Sequence, residues 1–311
     1  MKRLMLLSIL LWPLAALADN GAPFLWQIKG PLATHYLLGS VHMLPAESQP
    51  LPTALETAYK NAKGLVFETD LAALSEPKTQ MQMLTTASAP QGIKSLIGKS
   101  LYQKLAQQTA ALQMPMESSC EHYRPWFCAM TLEVMSFERA GFKPQYGLDQ
   151  VFYTRAREDG KTINGLETPV AHLKLFTDMS DKLATEFLSV TLDELSDPQQ
   201  SPQEMFRMWR DNDVAALEKI TLAMKAEQPR AYQRLLSGRS RAWMDNLRTP
   251  LASADSQLIV VGAAHTAGPD GLLVLLKQAG FEVMAVPSEA SVPPATAPSA
   301  EPQVPATPIN K

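Results

Sequence analysis

The chain contains two similar stretches, LLGSVH at residues 37–42 and VVGAAH at residues 260–265. In each, an apolar run typical of a buried strand leads to a glycine, and a histidine follows three residues later. Glycine allows the backbone to turn tightly or to approach another group closely. Open α/β folds bind their ligands at the carboxyl ends of the strands. We therefore expect His42 and His265 to lie together at this edge of one sheet.

Short apolar runs elsewhere in the chain predict the remaining strands of this sheet. The predicted strands lie at residues 24–29, 34–41, 65–68, 162–165, 258–261 and 281–286, and the first two are expected to form a hairpin. Helical patterns lie between them, at residues 52–62, 81–86, 101–112, 127–140, 183–195, 202–222, 230–247 and 271–280. Apolar strands that alternate with helices favour an α/β fold. We expect a central, largely parallel or mixed sheet built from the N- and C-terminal parts, with a large helical insertion at about 75–256.

Residues 1–18 have the pattern of a signal peptide. Lys2 and Arg3 precede an apolar run at residues 4–11, and Ala16-Leu17-Ala18 is the small-x-small pattern that signal peptidase cleaves. The apolar run is shorter than the roughly 20 residues that span a bilayer. We predict an exported protein, periplasmic or secreted, whose mature chain begins at Asp19.

Residues 19–286 are predicted to form the folded α/β domain, and residues 287–311 a disordered tail. The tail consists largely of Pro, Ala, Ser and Thr, a composition that cannot bury a core. Cys120 and Cys128 lie within the predicted domain. Because an exported protein folds in an oxidising compartment, we predict that these two cysteines form a structural disulfide, in preference to a catalytic thiol.

The charge of the chain argues against a nucleic-acid partner. Without Lys2 and Arg3, the 28 basic residues become 26 against 31 acidic residues, which gives a formal net charge of −5. Elsewhere in the chain no apolar stretch approaches the length of a transmembrane helix. We therefore predict no membrane span after cleavage of the signal peptide.

A carboxylate ends the predicted strand Leu65-Val66-Phe67-Glu68. Burying a carboxylate is costly unless it is hydrogen-bonded, paired with a cation such as Arg239, or bound to a metal. Two neutral imidazoles and one carboxylate are a common ligand set of catalytic metal sites, and a metal held in this way assists hydrolysis. His42, Glu68 and His265 are therefore the candidate metal ligands.

Five segments of the chain, in this order, resemble the TraB/GumN family. That family includes the Tiki metalloproteases and is distantly similar to erythromycin-esterase-like and ChaN-like proteins. The resemblance covers about residues 24–286 and rests on residues 38–43 (LGSVHM), 66–70 (VFETD), 147–149 (GLD), 165–168 (GLET) and 261–265 (VGAAH). It implies that the two histidines and Glu68 are functional residues, with a divalent metal of the manganese or cobalt type, as in the Tiki branch. Zinc is kept as an alternative metal.

The resemblance also directs attention to residues outside the proposed ligand set. Arg239 is similar to the arginine of the family's Arg-Asn pair, although Ser240 replaces the asparagine, and we predict that Arg239 stabilises a developing oxyanion. Asp149 and Glu167 are expected either to orient the substrate or the metal ligands, or to serve as helix caps or salt bridges. The other histidines lack a comparable setting and are predicted to be surface or packing residues: His35, His122 and His172.

Three functions are compatible with this pattern. The leading hypothesis is an exported metal-dependent hydrolase, a peptidase acting on a peptide or protein substrate through the two Gly-x-x-His motifs and Glu68. A second is a metal-independent, esterase-like hydrolase in which a histidine acts as general base. A third is a binding protein that sequesters a peptide without turnover. Chelator sensitivity separates the first two, and the appearance of cleavage products separates both from the third.

Overall fold

The structure, a computed structural model, describes residues 23–287 of the chain. The strands of this part are β1 (Leu25–Lys29), β2 (Thr34–Ser40), β3 (Leu44–Pro45), β4 (Gly64–Phe67), β5 (Phe142–Lys143), β6 (Thr162–Gly165), β7 (Gln257–Gly262) and β8 (Glu282–Ala285). Six of them form one sheet in the order β6-β4-β7-β2-β1-β8. The strands β6, β4, β7 and β2 are parallel to one another, whereas β1 is antiparallel to both β2 and β8. The predicted hairpin and the predicted mixed sheet are thus confirmed.

Helices make up most of the remaining described chain. They are α1 (Thr53–Asn61), α2 (Leu71–Ser75), α3 (Pro77–Ala87), α4 (Ile93–Ala111), α5 (Pro125–Arg139), α6 (Leu148–Glu158), α7 (Pro169–Thr177), α8 (Asp181–Glu194), α9 (Pro202–Arg210), α10 (Val214–Glu227), α11 (Pro229–Tyr232), α12 (Gly238–Leu251) and α13 (Leu272–Gln278). Most of them lie between β4 and β7, as expected for a helical insertion. The short strand β6 returns to the sheet from within this region and pairs with β4.

The single helix predicted at residues 202–222 is wrong, because the structure contains two helices, α9 and α10. Between them Asn212 adopts a positive φ of 52°, a conformation that ends a helix. Asp213 then caps α10, since its side chain accepts a hydrogen bond of 3.0 Å from the backbone N–H of Ala216. The periodicity continues across the break, so the apolar pattern alone does not reveal it.

The main core lies on the sheet. Strands β2 and β7 are buried along almost their whole length, as expected for parallel strands covered on both faces. The helical region has apolar clusters of its own, one of them around Ile93, Leu132 and Leu188. The disulfide between Cys120 and Cys128 belongs to this cluster, with Cα atoms 5.0 Å apart. The predicted pairing of the two cysteines is confirmed.

Asp270, which precedes α13, joins three helices of the helical region. Its carboxylate accepts hydrogen bonds from Lys225 of α10 (2.8 Å), from Tyr232 of α11 (3.0 Å) and from Arg241 of α12. The Lys225 hydrogen bond contributes most to holding the pKa of Asp270 below its ordinary value, followed by those from Tyr232 and Arg241. The side chain of Asp270 is only 15% exposed, whereas Lys225 and Arg241 are about half exposed.

We expect Asp270→Asn to lower the free energy of unfolding by about 1–2 kcal/mol at pH 7, since two of the three partners are solvent-screened. A lowered pKa stabilises the fold above the unfolded pKa, and this stabilisation is lost as the pH falls through the folded pKa. The difference between wild type and variant is therefore expected to shrink below about pH 4. Urea unfolding at several pH values measures it. Asp245→Asn, in an exposed pair with Arg248, is the matched control and is expected to change little; an equal effect of both variants would contradict the prediction.

Two predicted segments fall outside the described residues, namely the signal peptide at 1–18 and almost all of the tail at 287–311. Within residues 23–287, no helix is both long enough and apolar enough to cross a membrane.

Candidate active site

Four parallel strands end at the same edge of the sheet, and a candidate residue follows each of them. His42 follows β2, His265 follows β7 in a single 3-10 turn, Glu68 follows β4, and Glu167 follows β6. The order of the strands in the sheet places β4 and β2 on either side of β7. Side chains from distant parts of the sequence therefore meet where parallel sheets place their ligands.

Three of these side chains converge on Gly262, the last residue of β7. A Cβ atom at this glycine would lie 3.2 Å from Oε1 of Glu68, 3.8 Å from Cδ2 of His265 and 3.9 Å from Nε2 of His42. The backbone N–H of Gly262 donates a 2.7 Å hydrogen bond to the same Glu68 oxygen. The absence of a side chain at Gly262 thus leaves the space around which the predicted ligands are grouped.

His42 is the exposed member of the group, with 72% of its side chain accessible to solvent. Its Nδ1 lies 2.8 Å from Oδ2 of Asp149, which stands in the first turn of α6. The negative charge of Asp149 is the main reason that the pKa of His42 is raised to about 9, and Glu68 and Glu133 act in the same direction. His42 is consequently protonated at neutral pH.

The backbone around Gly147 explains how Asp149 reaches His42. The N–H of Leu148 donates a 3.0 Å hydrogen bond to the carbonyl of Val41, which brings the start of α6 against the loop that carries His42. A Cβ at Gly147 would collide with the carbonyl oxygen of His42. The Gly-Leu-Asp segment therefore brings the carboxylate of Asp149 onto His42.

Arg239, from the first turn of α12, is buried among the other candidate residues. Its NH2 group donates to Oε2 of Glu68 (2.6 Å) and to Oε1 of Glu167 (2.7 Å), and its Nε donates to Oε2 of Glu167 (3.2 Å). Its NH1 group lies 3.0 Å from Nε2 of His265 and 3.2 Å from the carbonyl of Leu235. A guanidinium has five N–H donors, and these contacts use all of them. In this arrangement Arg239 holds other site residues in position; its predicted role as an oxyanion donor stays a prediction.

The contacts of His265 define its protonation state. Because an arginine only donates, Nε2 of His265 must accept from Arg239, so the ring proton is on Nδ1 and is donated to Oγ of Ser240 at 2.9 Å. Burial, with help from the charge of Arg239, lowers the pKa of His265 to about 4. The side chain of Trp243 packs against the imidazole, with ring centroids 4.3 Å apart. His265 is thus a neutral imidazole at pH 7, whereas His42 is a cation.

The two glutamates of the site are ionised despite being largely buried. Burial alone would raise the pKa of Glu68, but the charge of Arg239 and the hydrogen bond from Gly262 contribute to holding it well below the ordinary value. Burial likewise opposes ionisation of Glu167, and the hydrogen bonds from His172 and Arg239 lower its pKa. Glu68 therefore forms the ion pair with Arg239 that was the alternative to metal binding. The same carboxylate also lies with His42 and His265 around Gly262.

His172 was predicted to be a surface or packing residue, but it belongs to this group. Its Nδ1 lies 2.7 Å from Oε1 of Glu167, so Nδ1–H donates to the carboxylate. Thr168 caps α7 by accepting a hydrogen bond from Ala171, and Pro169 occupies the first turn, which places His172 one turn above Glu167. The Thr-Pro pair is a sequence signal that could have located this histidine.

Ser240 and Trp243 were not predicted as site residues either. Trp243 donates from Nε1 to Oε2 of Glu167 at 3.1 Å, and Ser240 accepts from His265. Arg239 and Trp243 are four residues apart in α12 and therefore share a face of the helix. An i, i+4 pattern starting from Arg239 could have found Trp243, whereas Ser240 becomes recognisable only once His265 is placed beside it.

A model described as the TraB/PrgY/gumN family matches residues 24–285 of the chain. The chain belongs to the TraB/PrgY/gumN family. The matched region of this family member contains every residue of the site just described. It extends from the residue before β1 to the last residue of β8.

Among curated proteins, this TraB/PrgY/gumN-family member is similar to two relatives that are both described as uncharacterized protein YbaP. The relative from Escherichia coli (strain K12) is 25% identical over 270 residues, which cover 84% of this chain and 96% of the relative. The relative from Shigella flexneri is 25% identical over 248 residues, which cover 78% of this chain and 87% of the relative. No solved structure is significantly similar to the chain.

Proposed function

We propose that this protein is an exported hydrolase of peptide or amide bonds, periplasmic or secreted, that uses a divalent metal held by His42, Glu68 and His265. The observation that carries the proposal is the convergence of these three side chains on the space above Gly262. Each has an atom within 4 Å of the position that a Cβ would take at this glycine. The manganese or cobalt type is the expected metal, with zinc as an alternative.

The donor set at Gly262 fits such an ion. Nε2 of His42 faces this space and Oε1 of Glu68 borders it, while Nε2 of His265 lies 3.8 Å from the same Glu68 oxygen. Two imidazoles and a carboxylate are typical ligands of catalytic divalent metals. When bound, the ion would supply Lewis acidity, which polarises a carbonyl group and makes water more acidic.

The charges of the site also favour a cation. Glu68, Glu167 and Asp149 carry three negative charges, and Arg239 supplies one positive charge to the group. The negative charge that Arg239 leaves uncompensated, mainly that of Asp149, raises the pKa of His42. His42 therefore holds a proton at neutral pH. A divalent ion can displace that proton, as metal ligands must be deprotonated to bind.

Two residues of the chain prepare the proposed ligands, and a third, Arg239, contacts the ligand nitrogen of His265. Asp149 accepts the Nδ1 proton of His42, which leaves Nε2 directed at the space above Gly262. Ser240 accepts the Nδ1 proton of His265 in the same way. The NH1 group of Arg239 donates to Nε2 of His265 and to the carbonyl of Leu235. If Nε2 of His265 binds the metal, NH1 must give up the first contact and keep the second. Hydrogen bonds of this kind fix the tautomer and orientation of metal-binding histidines.

The choice of peptide or amide bonds rests on the resemblance to the Tiki metalloproteases, and the choice of compartment on the signal peptide pattern. The disulfide of the helical region supports the compartment, because disulfides persist where the surroundings are oxidising.

A specific observation favours the metal-independent alternative as a second candidate. His42 and Asp149 form a histidine–carboxylate pair at the exposed side of the site, as in enzymes whose histidine acts as general base. The raised pKa of His42 weighs against this mechanism at neutral pH, since a protonated imidazole cannot accept a proton. Such an enzyme would become active only as the pH approaches about 9.

The experiment incubates a defined peptide pool with chelator-treated protein at pH 7, with and without added Mn²⁺, Co²⁺ or Zn²⁺, and identifies the products by mass spectrometry. Cleavage that requires an added metal and is absent in His265→Ala supports the proposal. His122→Ala is the matched control, because the His122 side chain is exposed and has no hydrogen bond or ion pair to a site residue in the described structure, and it is expected to cleave as wild type does. Chelator-insensitive cleavage would identify the general-base mechanism, and stoichiometric peptide binding without products would identify a sequestering protein; either result overturns the proposal.

A further inference from the structure

Glu68 presents its two carboxylate oxygens to two different surroundings. Oε1 accepts a hydrogen bond from the backbone N–H of Gly262 and borders the space above this glycine, which His42 and His265 also border. Oε2 accepts from NH2 of Arg239 at 2.6 Å. Glu68 therefore lies between two positions for positive charge, one above Gly262 and one filled by the guanidinium.

The surroundings of the Arg239 NH2 group have the composition of a metal site. This nitrogen lies 2.6 Å from Oε2 of Glu68, 2.7 Å from Oε1 of Glu167 and 3.4 Å from Nδ1 of His172. The three residues each offer one ligand atom, and these atoms lie within 4.8 Å of one another. Two carboxylates and an imidazole, grouped so closely and with side chains that are 11%, 12% and 23% exposed, are an ordinary ligand set for a divalent cation.

We propose that the guanidinium of Arg239 fills a second cation position, built by Glu68, Glu167 and His172, and that removal of Arg239 turns this position into a metal site. The carboxylates would otherwise be buried without a counter-charge, which is strongly unfavourable. In wild type the arginine supplies that charge and also fixes His265. The site thus has two adjacent cation positions that share Glu68. The metal of the proposed function would fill one, and the guanidinium of Arg239 fills the other. The inference rests on the proposed function only in assigning a metal to the position above Gly262.

The test measures metal stoichiometry, not turnover. Wild type, Arg239→Ala and the double variant Arg239→Ala/His172→Ala are freed of metal, titrated calorimetrically with Zn²⁺, and analysed for bound zinc after gel filtration. Arg239→Ala is expected to bind one equivalent more than wild type, and the double variant is expected to lose that additional equivalent. Arg241→Ala is the control, because Arg241 lies two residues further along α12 and pairs with Asp270, outside this group.

The result distinguishes this inference from the proposed function. Wild type without any bound zinc would contradict the metal of the proposed function, while a gain of one equivalent in Arg239→Ala would still support the second position. An equal zinc content in wild type and Arg239→Ala, or a gain that persists in the double variant, overturns the inference. If Arg239→Ala is unfolded without metal, Zn²⁺ is expected to restore its circular dichroism and a cooperative melting transition, and failure to do so also overturns it.

Discussion

Replacing Glu68 by glutamine is expected to lower turnover by about 10³-fold, to remove the bound metal, and to destabilise the fold. A metal stabilises the transition state by several kcal/mol, and each 1.36 kcal/mol corresponds to about tenfold in rate, which gives this magnitude. Glutamine has nearly the same shape as glutamate, and its amide oxygen can still accept the hydrogen bond from Gly262. The variant therefore removes the charge of Glu68 and leaves its volume in place.

The expected loss of stability follows from the partners of Arg239. Removing one partner of a buried ion pair costs about 3–5 kcal/mol when the other charge is left alone. Arg239 retains both of its contacts to Glu167, so we expect Glu68→Gln to lower the free energy of unfolding by about 2–3 kcal/mol. Urea unfolding of the metal-free proteins measures this effect independently of catalysis.

Glu56→Gln is the matched control for Glu68→Gln. Glu56 forms a two-pronged pair with Arg155, with both N···O distances at 2.8 Å, between α1 and α6. This pair is about one-third exposed, so the same substitution is expected to cost about 1 kcal/mol or less and to leave turnover and metal content unchanged. If Glu68→Gln kept its metal and its turnover, Glu68 would not be a ligand, whatever its effect on stability.

The sheet could be predicted because its strands are local and apolar. Leu37-Leu38 and Leu258–Val261 form continuous apolar runs, and such runs are typical of parallel strands buried on both faces. Parallel strands bring their carboxyl ends to one edge, so the meeting of His42, Glu68 and His265 followed from the predicted fold. The strand order itself, with β7 between β4 and β2, did not follow from the sequence.

The partners contributed by helices were less predictable. Arg239 lies 171 residues from Glu68 in the sequence, and its contacts depend on how α12 packs against the sheet edge. Its use of all five donors is a property of the packed structure only. His172 was missed because a histidine in a helical pattern is more often a surface or packing residue. The break at Asn212 was missed because one residue of positive φ leaves the apolar periodicity intact.

Asp149→Asn is expected to shift the titration of His42 and to weaken the binding of the metal. Asp149 is the main cause of the raised pKa of His42, so its replacement should move that pKa from about 9 toward the ordinary value of 6.5, with Glu68 and Glu133 still acting to raise it. NMR of the imidazole C–H signals in metal-free protein measures the midpoint, and His42→Gln assigns the signal. Loss of a carboxylate that orients a metal-binding histidine typically lowers metal affinity by about 10–100-fold.

The pH dependence has a definite sign in each protein. A raised pKa stabilises the wild-type fold fully below the unfolded pKa of about 6.5, and this contribution is lost as the pH rises through about 9. In the same range the proton on His42 competes with the metal, so wild-type affinity is expected to increase with pH until His42 is deprotonated. In Asp149→Asn both dependences should move to lower pH with the midpoint of His42. Asp245→Asn, an exposed change in α12, is expected to leave the midpoint at about 9. An unchanged midpoint in Asp149→Asn would show that Asp149 does not set the charge of His42, and that its carboxylate does not draw a cation to this site.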